Sequence, residues 1–244
     1  MGPQAPLIFG VALALGIALL MQPLRSNWDA DRDPQHSIKE NPLQEIVIMW
    51  RELRLRYIGF VAFCFAAVQL CLTTFTVTML VGDLDFSLVE AGVILAVLQV
   101  AGVTGRLWWG WLADRLNDGN ATLLIISLLS CISAIVTTQL STDTPHVWVY
   151  ILMASFSFSA VGWNGVFMAE IARIAPVGTV SRTTGAVLMV SFTGILVGPP
   201  TFTATYALIG SYTQTFGIFA LVSAAGGLFL WLLRRWEQRN YPMQ

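Results

Sequence analysis

The stretch GRLWWGWLADR, Gly105 to Arg115, decides the architecture of this chain. It closes an apolar run that begins at Val89, and it ends in an adjacent aspartate and arginine that cannot remain in hydrocarbon. A helix crossing a lipid core about 30 Å thick needs on the order of 20 mainly apolar residues, and Val89 to Trp111 meets that length. Six further runs do so: Pro3 to Met21, Tyr57 to Val81, Ala121 to Leu140, Val147 to Ala169, Thr184 to Tyr206 and Phe216 to Leu233. The reading is an all-α membrane protein of about seven transmembrane helices. Composition agrees, since 56% of the 244 residues are hydrophobic and 11% charged, against about a quarter charged in soluble domains.

The 13 lysines and arginines set the expected orientation, because short cytoplasmic loops collect them. With the polar segment between the first two runs inside, Arg25, Arg32, Lys39, Arg51, Arg54 and Arg56 are cytoplasmic. So are Arg115, Arg173, Arg182, Arg234, Arg235 and Arg239, while Arg106 lies in the inner half of its helix and the outer loops carry none. The amino terminus is then outside and the carboxyl terminus inside. The first run lacks the basic start and the cleavage site of a signal peptide, which favours a retained helix.

A net charge of −1 provides no field for nucleic acid. Cys64, Cys71 and Cys131 form no metal or disulfide pattern, and the two histidines, His36 and His146, lie in loops. With no HExxH, no phosphate loop and no intramembrane aspartate pair, no enzyme, cofactor or metal centre is expected.

GRLWWGWLADR resembles the loop signature of the major facilitator superfamily, G-x-L-A-D-R followed by a glycine and two basic residues. Gly110, Leu112, Ala113, Asp114 and Arg115 match; Asn117, Asp118 and Gly119 occupy the tail and do not. GWNGVFMAEIAR, Gly162 to Arg173, and RTTGAVLMVSFTGILVGPP, Arg182 to Pro200, are similar to runs in helices ten and eleven of bacterial members. The resemblance implies the layout from helix six to helix twelve of a twelve-helix transporter. Residues 1–22 would be helix six, 23–56 the cytoplasmic central loop, 57–236 the six-helix carboxyl-terminal half, and 237–244 a cytoplasmic tail. The first five helices would be absent, so the expected partners are the lipid bilayer, a small solute, and either an amino-terminal half or a second copy. The expected location is the bacterial inner membrane.

The family resemblance also implies roles. Arg106 resembles the substrate-contacting arginine of the monocarboxylate and oxalate/formate branches, although Gly102 stands where the former carries an acidic partner. A guanidinium in the membrane either grips an anion through two parallel hydrogen bonds or snorkels to the surface, and both readings stand. Gln99 and Gly102 are placed on its helix face, and Gln69, Thr73 and Thr76 form a second polar stripe. Ser157, Asn164, Ser191 and Thr193 complete the polar positions, with helix–helix adhesion as the other reading. Gly110, Asp114, Arg115, Glu170, Arg173 and Arg182 would form an inner gate, Asp114 reaching the helix amino terminus at Thr183 to Gly185. Pro199 and Pro200 are expected to kink their helix, and Trp108, Trp109, Trp111 and Trp148 to sit in interfacial belts. No carboxylate lies at mid-depth, so a proton-coupling acid would belong to the other half. The implied activity is transport of a small anionic organic solute by alternating access; the other reading is a half-sized, partner-dependent subunit or sensor.

Overall fold

The structure, a computed structural model, describes residues 5–24, 50–175 and 179–240. Of the expected central loop, residues 25–49 lie outside the described residues, and Arg25, Arg32 and Lys39 with them. So do residues 241–244 of the tail. The described residues are helical with no strand, as the apolar runs require.

Helix α1, Ala5–Met21, contains no charged residue and continues into a 3-10 turn, Gln22–Leu24. It belongs to a compact unit of its own, Met1–Asn41. Among the described residues the second unit includes α2 (Leu53–Gly82), α3 (Leu88–Leu116), α4 (Gly119–Thr137), α5 (His146–Ala160), α6 (Asn164–Ile174), α7 (Val180–Ile209) and α8 (Tyr212–Asn240). Six spans among its described residues are long and apolar enough to cross a membrane, with α5 and α6 together forming the single span His146–Ile174.

Local chemistry fixes the ends. Ser87 and Glu90 form a capping box at the start of α3. At its other end Asn117 takes the left-handed conformation, φ 51°, which its short polar side chain tolerates, and Asp118 caps Ala121 to start α4. The helix therefore runs past Asp114 and Arg115, and the turn begins at Asn117. At the opposite end of the bundle, Asp83 accepts from the Ser211 hydroxyl and from the Thr213 N–H and hydroxyl, satisfying the amino terminus of α8.

Small residues set the packing. A Cβ on Gly198 would lie 3.0 Å from the Ala67 backbone, and one on Gly194 would overlap the Phe63 backbone, so α7 lies directly on α2. On the far side of α2, Gly226 of α8 faces Phe65, while Ser127 of α4 donates to the Ser223 carbonyl of α8 at 2.7 Å. The core fills two layers. Ile58, Phe167 and Leu230 lie in the layer near the arginine-bearing end, and Met79, Phe156 and Phe202 in the other. Pro199 and Pro200 do not end α7, which is assigned as helix through both. The break falls instead at Val161–Trp163, between α5 and α6, where the apolar pattern gave no warning.

That break has a steric cause. α3 and α5 approach at Gly105 and Phe158, where a Cβ on Gly105 would overlap the Phe158 backbone. A Cβ on Gly162 would stand 3.0 Å from the Gly105 carbonyl carbon and 2.8 Å from the Trp109 ring. The Phe158 carbonyl, which a continuous helix would offer to the Gly162 N–H, accepts the Trp109 indole N–H at 2.8 Å. Trp109 is 4% exposed and so belongs to this crossing rather than to an interfacial belt; Trp108, Trp111 and Trp148 are exposed.

Candidate site at the broken span

The interruption frees the Val161 carbonyl for side chains. It accepts from Asn164 Nδ2 at 3.1 Å and from Arg106 Nε at 3.4 Å. The second contact is long for a hydrogen bond. The two terminal guanidinium nitrogens of Arg106 have no partner among the described residues, and the side chain is exposed. Asn164 Nδ2 also donates to Gln69 Oε1 at 3.1 Å, and the Trp163 indole N–H donates to the same oxygen at 2.9 Å. Arg106, Val161, Asn164, Gln69 and Trp163 therefore form one hydrogen-bonded chain across α3, α2 and the broken span.

Three of the expected solute contacts, Arg106, Gln69 and Asn164, are thus brought together. Gln99 is exposed, and no hydrogen bond to it occurs among the described residues. Thr73 is half-buried and returns its hydroxyl to the Gln69 and Leu70 carbonyls of its own helix. Thr76 is fully buried on Leu72 O, so the expected stripe divides between an open side and the core. Gly102 packs against Val161 and Ser157, and Ser157 donates to Leu98 O at 2.7 Å, which makes both part of the α3–α5 contact.

Charged residues collect at the arginine-bearing end. Glu170 is 3% exposed, pairs with Arg173 and stands over Gly119, where an added Cβ would meet Glu170 Oε2 at 2.7 Å. The carboxylate thus lies beside the amino terminus of α4, whose partial positive charge favours it. Arg234 bridges to Asp118 at 3.0 Å, Arg54 to Glu237 at 3.2 Å, and Asn120 Nδ2 lies 3.5 Å from Glu237 Oε2. Arg115 sits over the Trp111 ring at 5.5 Å, and Gly110 faces open space. Asp114 is exposed, and its carboxylate meets no partner among the described residues. Arg182 is half-buried next to buried Thr183.

Sequence reasoning missed the Trp163 donor, the Val161 carbonyl, and the pairing of Asp118 and Glu237 with arginines. Asp118 carried a usable signal, an aspartate directly before a helix. Glu237 carried none, since its partners are 117 and 183 residues distant.

A bundle of spans long and apolar enough to cross a membrane, with a guanidinium and two amides gathered at a broken helix, defines an integral membrane protein. The chain belongs to the Major Facilitator Superfamily, whose family model matches residues 2–199. Two curated relatives from two strains of Mycobacterium tuberculosis, each called "Probable nitrate/nitrite transporter NarK2", are 29% identical over 168 residues. That match takes in 68% of this chain and 39% of each relative, so the chain spans well under two thirds of their length. Among solved structures, the E. coli fucose:proton symporter FucP superposes with a TM-score of 0.71 at 16% identity, covering 94% of this chain and 55% of that one. FucP in an outward conformation gives 0.68 over 94% and 54%. At that identity the likeness shows the fold.

Proposed function

We propose that this chain is the carboxyl-terminal portion of a secondary or facilitative transporter that moves a small anion by alternating access. The observation that carries this reading is Arg106, a guanidinium inside an apolar span whose two terminal nitrogens remain open beside the Gln69–Asn164 amides. Exposed to lipid, such a group is costly; facing a watery path, it is a ready grip for two coplanar oxygens. Carboxylates have that geometry, and so do nitrate and nitrite, the ions in the names of the curated relatives. Gln99 and Thr73 flank the same path.

Gly110, Asp114, Arg115, Glu170, Arg173 and Arg182 serve as the gate at the cytoplasmic end. Glu170, paired with Arg173 on α6, stands over the amino terminus of α4, while Asp114, without a partner among the described residues, is left for a contact that forms and breaks as the gate moves. The bundle supplies one wall of the path. An amino-terminal half, or a second copy, supplies the other, in a bacterial inner membrane with the carboxyl terminus in the cytoplasm.

The test is uptake into proteoliposomes by the full transporter containing this chain, with nitrate, formate and acetate as probes and fucose as the neutral comparison. Saturable uptake of at least one anion, without fucose uptake, is the expected result. Fucose uptake without anion uptake would refute the assignment.

A further inference from the structure

The amides of Gln69 and Asn164 can each be turned end for end, and only their surroundings decide which atom faces the path. Here both ends of the chain are one-way. An indole N–H can only donate, so the Gln69 atom it meets at 2.9 Å must be the oxygen. A backbone carbonyl can only accept, so the Asn164 atom it meets at 3.1 Å must be the nitrogen. The two hydrogens of Asn164 Nδ2 are then consumed, one on Val161 O and one on Gln69 Oε1. What is left over is the Gln69 NH2 group. Its nitrogen has no partner among the described residues and is not among the fully buried unpaired atoms, so on half-buried Gln69 it keeps some exposure. With Arg106, the open side of this chain is rich in donors.

We propose that Trp163 is a specificity-determining positioning residue: its indole N–H, working against the Val161 carbonyl, holds the Gln69 amide so that its NH2 faces the solute path. The proposal rests on the anion-transport reading above and names what gives that site its sign. Trp163 is suited to the task, since it is 2% exposed and held edge-on by Phe65 at 5.5 Å and Phe167 at 4.9 Å. Those contacts fix the direction of its N–H. Without that donor, Gln69 Oε1 keeps only the Asn164 N–H, and a single bond opposes the turn that would present the oxygen to an anion, which it repels.

The experiment uses the full transporter in proteoliposomes with nitrate, formate and acetate as probes. Trp163→Phe keeps the ring packing and removes the N–H. 3-Benzothienylalanine at position 163 keeps the bicyclic shape as well, and serves if the phenylalanine variant does not fold. The expected result for either is a KM for the transported anion raised about tenfold with turnover within about twofold. The rise should disappear in a Gln69→Leu background, because Trp163 acts through Gln69. An unchanged KM, or an equal rise with and without Gln69, would overturn the proposal. Arg106→Gln in the same vesicles separates the two levels. If it loses uptake while the position-163 variants do not, the anion reading stands and the role of Trp163 falls; if it too is without effect, the anion reading itself falls.

Discussion

Replacing Arg106 by glutamine in the assembled transporter is expected to weaken anion binding about 100-fold and leave the bundle folded. Hydrogen bonds to charged groups contribute about 1.5–3 kcal/mol each, and 1.4 kcal/mol is a factor of ten. Losing a bidentate grip therefore removes at least two decades of affinity. Stability should hardly move, because the one side-chain hydrogen bond Arg106 makes among the described residues is the long 3.4 Å contact with Val161 O. Arg106→Lys separates charge from geometry: an ammonium retains attraction but cannot match two coplanar oxygens, so binding should fall between the two. Equilibrium binding of nitrate, formate and acetate to purified protein, with thermal unfolding alongside, measures both quantities. Undiminished affinity in Arg106→Gln would exclude the contact.

The largest effect on stability is expected from Gly105→Val. A Cβ there overlaps the Phe158 backbone, with the Phe158 carbonyl carbon at 3.1 Å and Cα at 3.2 Å, so no side-chain rotation relieves it. Overpacking typically costs about 1–3 kcal/mol, and with backbone as the obstacle the cost lies at or above about 3 kcal/mol. α3 must then separate from α5, which also moves Arg106 away from Val161. Gly92→Ala on the same helix is the control, because nothing lies within 4 Å of its added Cβ. There the gain in helix propensity, about 0.5–1 kcal/mol, should dominate. Detergent unfolding monitored by circular dichroism should show opposite signs for the two variants.

The spans were legible because hydrocarbon imposes one solution on every segment that enters it: a long apolar helix with its backbone satisfied internally. Val89 to Trp111 and the runs around it announce that solution directly, and capping residues such as Ser87 and Asp118 lie where local rules place them. Pro199 and Pro200, the local signal for an interrupted helix, lie within the continuous α7. The interruption at Val161–Trp163 depends instead on Gly105 and Trp109, more than 50 positions earlier, which no local pattern can register. The same distinction governs the site. Arg106, Gln69 and Asn164 stand out as polar groups in apolar runs, because burying them carries a cost that demands a reason. Trp163 does not, since an aromatic among aromatics looks like packing until its N–H is seen on Gln69. Thr76 shows the reverse error: a hydroxyl at pore-like spacing that satisfies itself on its own helix.

Anion transport at this site requires the Arg106–Asn164–Gln69 chain to face an aqueous path. The most direct test is thiol labelling of Asn164→Cys in the full transporter, in a Cys131→Ser background, since Cys64 and Cys71 are buried. A charged, membrane-impermeant reagent should modify position 164, and saturating transported anion should slow that reaction severalfold. Modification by lipid-soluble reagents alone, or at a rate no anion changes, would exclude an aqueous anion path at position 164.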